Sequence, residues 1–217
     1  MRRGACRIID LTHPLVDGQP GFPGDPVIEM QPHCIIRRDG FHVTRLAMGT
    51  HAGTHLDASA HFFENGQTVD DIPLNRLFGT ARLVDLCPGG ALLPGARITR
   101  SMLEKQVRCF RPDSRVIYRT GWDRHYGKPQ FFADYPSLTR DAAAWIASRR
   151  LALLGMDTPS PSDDLECHTI LLAPGSEIVI VESLARLGGL PASFTLVAFP
   201  LCLEGCDGSP IRAAAIF

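Results

Sequence analysis

The sequence predicts a single α/β domain, covering residues 1–217, whose strands form a mixed β-sheet. A chain of 217 residues is long enough to bury one sizeable core, and one domain is the default at this length. The stretch from Arg115 to Leu154 has the pattern strand, helix, strand, which is typical of a parallel βαβ unit. Two β-prone runs earlier in the chain predict an antiparallel hairpin, so both kinds of strand pairing are expected.

The first quarter of the chain is predicted to be a rigid loop followed by this hairpin. Several prolines and glycines make residues 14–26 an irregular loop. Val27–Arg37 and Phe41–Met48 are the β-prone runs, and Asp39-Gly40 between them is a strong hairpin signal. The second run leads directly to residue 51, so the side chains that follow it should lie at the end of a sheet.

The rest of the chain alternates between short strands and short helices. Thr99 fits the N-cap of one helix, and Ser137 or Thr139 fits the N-cap of the next. The spacing of Ala142 and Ile146 gives that second helix an apolar face. The helix after Thr99 covers residues 100–107, and another short helix covers residues 73–78. The predicted strands outside the hairpin cover residues 8–12, 81–86, 115–119, 151–154, 177–181, 194–199 and 213–217.

Composition and charge exclude several classes of function. The net charge is −1, with 45% hydrophobic and 21% charged residues, which gives no electrostatic reason to expect nucleic acid or an anionic membrane as a partner. No segment approaches the ~20 apolar residues of a membrane helix. The start of the chain lacks the apolar stretch of a secretory signal, so a cytoplasmic location is the expectation.

Cysteine spacing argues against a zinc ribbon or a thioredoxin-type site. The seven cysteines are odd in number and contain no Cys-x-x-Cys pair. Free thiols are expected in a reducing compartment, although Cys202 and Cys206 are close enough in sequence to form a pair.

The region most informative about function is residues 51–61, which hold three of the eight histidines. Imidazole nitrogens and carboxylate oxygens suit zinc, and also manganese, iron or nickel. His51, His55 and Asp57 therefore form a candidate three-ligand metal site with room for water or substrate. Gly53 allows a tight backbone path between the two histidines. His61 is left over as a proton carrier, because the usual pKa of histidine is near 6.5.

The alternative without a function is that these histidines lie on the surface, or in the core with their hydrogen bonds satisfied. This alternative is more plausible for a single histidine than for a cluster of this density. The pattern is not the helical metalloprotease motif, since Ala52 stands where that motif needs glutamate. The segment is instead predicted to be a strand end running into a loop.

The pattern His-x-Gly-Thr-His-x-Asp-x-x-x-His resembles the signature of the metal-dependent cyclase family, which includes bacterial kynurenine formamidases and isatin hydrolases. The usual signature has proline where this chain has Ser59. Further segments resemble the family in the same order along the chain. They are residues 20–26, 120–122, 155–160, 171–184 and 204–212.

The resemblance implies a swivelling β/β/α fold, a homodimer or homotetramer, and a second metal held by His168 and Glu182 with Asp57 bridging. Glu182 also ends a strand that looks buried, where a carboxylate is costly unless it is paired or bound to a metal. His168 could instead lie on the surface, and Cys167 is a weaker candidate ligand. The resemblance assigns Phe22 to the wall of a substrate pocket; otherwise it anchors its loop to the core.

Three other residues have open assignments. Asp157 could accept a hydrogen bond from a ligating histidine, or could hold a turn. Trp122 could border the site, although burial in the core is the simpler expectation. The segment containing Asp207-Gly208 and Arg212 reads as a hairpin with an Asp-Gly turn.

The residues alone predict a metal-assisted hydrolase or lyase, in which a metal activates water as the nucleophile and His61 carries the proton. No Gly-x-Ser-x-Gly elbow is present, which removes the usual serine hydrolase. The resemblance adds the substrate class, a C–N amide bond of a small aromatic molecule such as N-formylkynurenine, and with it a role in tryptophan breakdown.

The alternatives are an isatin-like lactam hydrolase or a cyclase or lyase on the same site, and a non-catalytic metal-binding protein. One or two divalent ions per chain are expected, with zinc the first choice and manganese the second.

Overall fold

The described part of the chain, residues 6–176 and 178–217 of a computed structural model, contains thirteen strands and five α-helices. The strands are β1 (Ile8–Asp10), β2 (Glu29–Cys34), β3 (Val43–Ala47), β4 (His55–Asp57), β5 (Phe78–Asp85), β6 (Arg97–Ile98), β7 (Arg115–Arg119), β8 (Ser137–Leu138), β9 (Leu153–Met156), β10 (Val179–Glu182), β11 (Ser193–Val197), β12 (Gly208–Pro210) and β13 (Ala214–Ile216). The helices are α1 (Ile36–Asp39), α2 (Leu74–Leu77), α3 (Arg100–Glu104), α4 (Arg140–Ala147) and α5 (Glu166–Leu172).

Nine of these strands form one mixed sheet in the order β1-β13-β11-β5-β7-β9-β10-β4-β12. The four central strands, β5, β7, β9 and β10, are parallel, and the strands on either side pair with them and with each other in antiparallel fashion. Strands β7 and β9 are parallel neighbours, and α4 lies between them in sequence. The βαβ unit and the mixed α/β sheet are therefore confirmed.

The sheet has a buried core on each face. In β7, Val116 and Tyr118 belong to the core that includes residues of α4 and α5, whereas Ile117 belongs to the core on the opposite face. In β10, Ile180 lies on the helix side and Val181 on the other. This is the two-residue alternation of a β-strand, and burial on both faces explains why the charged residues of these two strands are confined to their ends.

The predicted hairpin is present, but its connection differs from the prediction. Strands β2 and β3 pair in antiparallel fashion and form a separate two-stranded sheet. One turn of helix, α1, joins them where a two-residue Asp-Gly turn was expected. Asp39 accepts a hydrogen bond from the Ile35 amide at 2.8 Å, and Gly40 ends the turn with a φ of +79°. These local contacts form a helical turn before the Asp-Gly pair, so β2 ends at Cys34 and not at Arg37 as the strand pattern predicted.

Other elements differ from the prediction mainly at their ends. Helix α3 stops at Glu104 and is followed by a short 3₁₀ helix, so the predicted helix over 100–107 is broken. Thr99 and Thr139 precede α3 and α4, but neither side chain caps a backbone amide. The strand predicted over 177–181 begins at Val179, and residue 177 lies outside the described residues.

Two predicted properties of the whole chain can be compared with the structure. All seven cysteines are free thiols, so Cys202 and Cys206 do not form a disulfide. Among the described residues, no helix has the length and apolar character needed to cross a membrane.

Candidate metal centre and active site

Residues 51–57 carry the chain from a loop into β4 along a tightly constrained path. Gly53 has a φ of +66°, and a Cβ at this position would lie 2.4 Å from Cδ2 of Leu15. A side chain is excluded here both by the backbone conformation and by the available space, as the sequence predicted. The path brings the rings of His51 and His55 to a centroid separation of 5.1 Å.

Strands β4 and β10 present three polar side chains on one face of the sheet. The strands pair in antiparallel fashion with His55 opposite Glu182. Because side chains alternate along a strand, Leu56 points into the opposite core while His55 and Asp57 share a face with Glu182. Helix α5 packs on this face and adds His168, which is buried and 7% exposed.

The first group of donor atoms comes from His51, His55 and Asp57. Nδ1 of His51 lies 2.8 Å from Oδ1 of Asp57, and Nε2 of His55 lies 3.3 Å from the same oxygen. The Nδ1–H of His55 donates to the carbonyl oxygen of Gly53 at 2.9 Å. That bond leaves Nε2 of His55 as the nitrogen that faces the carboxylates.

The second group comes from Asp57, His168 and Glu182. Nε2 of His168 lies 3.0 Å from Oε1 of Glu182 and 3.6 Å from Oδ2 of Asp57. Nε2 of His55 lies 3.3 Å from Oε2 of Glu182 and so joins the two groups. The alternative of a surface position for His168 does not hold, since its ring is buried and stacks on Phe62 at 5.0 Å.

Asp57 is the residue that the two groups share. Its Oδ1 faces His51 and His55, and its Oδ2 faces His168. The side chain is 1% exposed. The five residues of the two groups are called the floor of the site below: His51, His55, Asp57, His168 and Glu182.

The chemistry of the floor fits a divalent cation. Asp57 and Glu182 are buried, and their ion-pair partners within the described chain are all histidines. The free lone pair of His55 Nε2 faces two carboxylates, and Oδ2 of Asp57 has no hydrogen-bond partner within residues 6–176 and 178–217. Lone pairs that face each other in a buried site need a proton or a metal ion between them.

The electrostatics of the floor lead to the same conclusion. Burial acts to lower the pKa of His51 and His168, but the neighbouring carboxylates outweigh it and raise both pKa values to about 9. Burial also opposes ionisation of Asp57, yet the histidines around it hold its pKa well below the usual range. A site that favours positive charge this strongly is suited to a cation.

His61 lies beside the floor and is held by a residue that the sequence reading missed. Nδ1 of His61 lies 3.2 Å from Oδ2 of Asp207, and Nε2 of His51 lies 2.9 Å from the same oxygen. Thr50 donates its hydroxyl to the other oxygen of Asp207 at 3.0 Å. Asp207 thus orients both rings, and it leaves Nε2 of His61 unprotonated when that ring is neutral. Burial lowers the pKa of His61, which favours the neutral form.

Asp207 reaches this position through sheet pairing. Strand β12 pairs with β4, with Gly208 opposite Asp57. A Cβ on Gly208 would lie 2.7 Å from Cε1 of His51, so the glycine makes room for the imidazole ring. The Asp-Gly pair was interpreted as a turn, and no local pattern connects it with a motif about 150 residues earlier. Only the resemblance of residues 204–212 to the family pointed to this segment.

A cavity of about 300 Å³ extends from the floor to the surface. Its walls are aromatic and come from loops, with Tyr126, Phe131 and Phe132 on one side. Phe22 also lines the cavity, is 39% exposed, and meets Phe132 edge-to-face at 5.9 Å. Phe22 therefore lies at the wall of this cavity. Trp122 is fully buried beneath the wall and donates its indole N–H to the Phe131 carbonyl at 2.9 Å.

The chain was compared with known proteins. The sequence model of the Cyclase family matches residues 9–163. The kynurenine formamidase of Bacillus mycoides (strain KBAB4) is 32% identical over 213 residues, which cover 94% of this chain and 95% of that protein. The chain belongs to the Cyclase family.

Two solved structures extend the comparison. A structure described as a potential metal-dependent hydrolase with cyclase activity has 27% identity and a TM-score of 0.79, and the match covers 98% of both chains. Isatin hydrolase A from Labrenzia aggregata, bound to benzyl benzoate, has 25% identity and a TM-score of 0.85 over 98% of this chain and 94% of that one. The single-domain α/β fold is confirmed. The relatives support the prediction of a metal-dependent hydrolase acting on a C–N bond other than a peptide bond.

The one departure from the Cyclase signature has a local compensation. Ser59 occupies the position of the usual proline, and its hydroxyl accepts a hydrogen bond from the Gln67 amide at 2.6 Å. The 3₁₀ helix Ser59–His61 is therefore pinned to the following loop. This hydrogen bond restrains the segment that carries His61, as the rigid ring of the usual proline would.

Three other candidate residues lie away from the floor. The carboxylate of Asp157 accepts hydrogen bonds from the Thr120 hydroxyl at 2.6 Å and the Gly121 amide at 2.7 Å, so it holds the turn after β7 and contacts no histidine. Arg212 is exposed and pairs with Asp10 at 2.7 Å. Cys167 is a buried residue of α5 and is not among the residues that line the cavity.

Proposed function

We propose that this member of the Cyclase family is a metal-dependent hydrolase that cleaves the amide-type C–N bond of a small aromatic substrate. The observation that carries the proposal is the sharing of Asp57 by two donor groups at the bottom of an aromatic-walled cavity. N-formylkynurenine is the first substrate to test, because the relative from Bacillus mycoides is a kynurenine formamidase. Such an activity would place the protein in tryptophan breakdown.

The floor residues are the proposed ligands of one or two divalent ions, with zinc preferred and manganese second. Three imidazoles and two carboxylates are compatible with both metals; imidazole ligands suit zinc, and carboxylates also suit manganese. A bound ion would supply Lewis acidity, polarising a carbonyl oxygen and making water acidic enough to ionise near neutral pH.

His61 is the proposed proton carrier. The carboxylate of Asp207 holds its Nδ1–H, so Nε2 is free to take a proton from water and then return it to the leaving amine. In the overall reaction the water oxygen bonds to the formyl carbon, the C–N bond breaks, and the amine leaves with the proton. The products of a formanilide are formate and an aromatic amine.

The aromatic walls are proposed to hold the substrate ring. Phe22 and Tyr126 present ring faces and edges to the cavity, and such surfaces bind an aromatic ring through burial and offset or edge contacts. The walls also exclude bulk water, which strengthens the electrostatic interactions at the floor.

The test is hydrolysis of N-formylkynurenine by protein loaded with zinc or manganese, beside a chelated sample. We expect a metal-dependent rate that is lost on chelation and restored by adding the ion. Metal that stays bound without any hydrolysis would contradict the formamidase assignment. Isatin would then be the next substrate, because the chain is similar along nearly its whole length to isatin hydrolase A.

Water addition or ring closure without C–N cleavage would instead select a lyase. A non-catalytic site would bind metal that exchanges no water.

We also propose that the protein acts as a homodimer or homotetramer. The hairpin β2–β3 with α1, residues 29–47, stands apart from the main sheet and exposes large apolar side chains, among them Ile36 at 71% and Phe41 at 56%. A lone two-stranded hairpin is marginally stable in water, so a second copy is the proposed cover. Sedimentation should show a larger species that Ile36→Glu dissociates; a monomer at all concentrations would contradict this.

A further inference from the structure

The charge of the cavity is distributed unevenly between the floor and the opening. Exposed carboxylates from two loops line the opening: Asp25, Asp163 and Asp164. Among the described residues that line the cavity, none is a lysine or an arginine. A substrate that enters the cavity therefore first meets negative charge at the opening. The floor, which is suited to a cation and could then attract an anion, lies at the buried end.

The three carboxylates at the opening are not equivalent. Asp163 pairs with Arg97 at 2.6 Å, which offsets its charge. The carboxylate of Asp164 accepts hydrogen bonds at Oδ1 from the Ser162 hydroxyl at 3.1 Å and from the Glu166 amide at 3.0 Å, and both donors are neutral. For Asp25, the structure describes no ion pair within 4.0 Å. Asp164 also has no ion pair within 4.0 Å in the described part of the chain, and Arg97 attracts it only at longer range. Asp25 and Asp164 are therefore the two unpaired carboxylates of the opening.

We propose that this cavity selects aromatic amides whose ring carries a neutral or cationic substituent, and that Asp25 and Asp164 disfavour an anionic one. The proposal rests on the proposed function, which directs the reacting amide to the floor and the ring to the aromatic walls. A substituent on the far side of the ring then lies near the opening. A carboxylate there with no ammonium group beside it, unlike the zwitterionic side chain of N-formylkynurenine, would lose part of its hydration, meet two like charges and find no cation to pair with.

A matched series of substrates tests the proposal. Three formanilides carry hydroxymethyl, aminomethyl or carboxymethyl groups at the same meta position, so that a methylene separates each polar group from the ring. We expect kcat/KM to be lowest for the carboxymethyl compound, by roughly tenfold against the hydroxymethyl compound, with most of the difference in KM. Raising the salt concentration from about 20 mM to about 500 mM should narrow this ratio, because salt screens exposed charges.

Variants assign the effect to the two carboxylates. In the double variant Asp25→Asn/Asp164→Asn, the ratio should fall to about threefold or less, since the two unpaired carboxylates of the opening are gone and only Asp163, which pairs with Arg97, remains. The control is Glu104→Gln/Asp141→Asn, which makes the same change in net charge at exposed positions on α3 and α4 that do not line the cavity. The control should keep the wild-type ratio and salt response.

Two outcomes would overturn the proposal. Equal kcat/KM for the neutral and anionic compounds in the wild type is one, and a ratio unchanged in the Asp25/Asp164 double variant is the other. If none of the three formanilides is hydrolysed, the proposed function fails separately. Dissociation constants of the same compounds, measured by calorimetry on the metal-loaded protein, then decide the charge preference: equal constants would overturn it, and weaker binding of the anionic compound would support it.

Discussion

The floor and the opening of the cavity are built in opposite ways. The floor residues come mainly from the paired strands β4 and β10 and from helix α5, and four of the five are buried. The walls and opening come from loops, and Phe22 and Asp25 are exposed. Sheet pairing holds donor atoms to within a few tenths of an ångström, whereas loops tolerate substitution. The floor should therefore determine the chemistry of the site, and the loops should determine its substrate.

The largest expected effect breaks the floor itself. Asp57→Ala removes the carboxylate that both donor groups share, so bound metal should fall sharply and activity should fall by at least ~100-fold. Metal per chain by elemental analysis and the hydrolysis rate check this result. Unchanged metal content would contradict the assignment. A thermal unfolding scan with and without metal separates ligand loss from misfolding.

His61→Gln separates proton transfer from metal binding. We expect kcat to fall by roughly 100-fold while metal content stays near the wild-type value, because the third group of possible donor atoms, to which His61 belongs with His51 and Asp207, contains neither of the buried carboxylates of the floor. The pH profile of kcat should also lose the limb that reports the proton carrier. Full activity with metal bound would show that another group carries the proton.

Asp207→Asn tests whether the carboxylate orients the two rings beside the floor. An amide can hold only part of the hydrogen bonding that His51 and His61 now make to Asp207, so kcat should fall roughly tenfold and metal affinity should weaken. The matched control is Asp70→Asn. Asp70 supports the same loop by accepting from the Gly205 amide at 3.0 Å, yet it contacts neither histidine. Equal losses in both variants would indicate a loop effect only.

Phe22→Ala tests the contribution of a loop residue to substrate binding. Removing one aromatic contact worth ~1 kcal/mol should raise KM about fivefold, with little change in metal content. Phe78→Ala is the control, because Phe78 is 49% exposed and stacks on Phe199 away from the cavity. A loss of metal in Phe22→Ala would mean that this loop also supports the floor.

The smallest expected effect is a pH-dependent change in stability caused by His13, whose ring packs against Tyr126 in the cavity wall. The ring of His13 stacks on Tyr126 at 3.7 Å, and burial lowers its pKa to about 4. A histidine whose pKa is lower in the folded protein adds stability above its usual pKa of 6.5, and that contribution is lost as the pH falls towards 4. His13→Phe keeps a stacked ring without the titration. As the pH falls from 7.5 to 5, the wild type loses stability because unfolding of its chain lets His13 bind a proton. The Tm of His13→Phe minus the Tm of the wild type should therefore increase over this range. A constant difference would contradict the buried neutral state.

Much of the fold was predictable because local patterns reflect it directly. Strand β7 was placed at its observed bounds, since a short β-prone apolar run buried on both faces has few other solutions. The helix over residues 36–39 was not predictable from strand propensity, because a side-chain bond from Asp39 closes that turn. Ends of helices differed for the same reason: capping depends on a few hydrogen bonds that hydrophobic spacing does not report.

The sequence by itself determined the donors that lie close together along the chain. His51, His55 and Asp57 are separated by only a few residues. The strand β4 and the left-handed conformation of Gly53 are enough to place their side chains close together. His168 and Glu182 were found through the family resemblance and the cost of burying a carboxylate.

Only the tertiary structure decided which distant groups meet. Asp207 contacts His51 and His61 because β12 pairs with β4, and the negative opening forms because two separate loops converge on one cavity. Such meetings depend on long-range strand pairing and packing, which no local spacing in the sequence records.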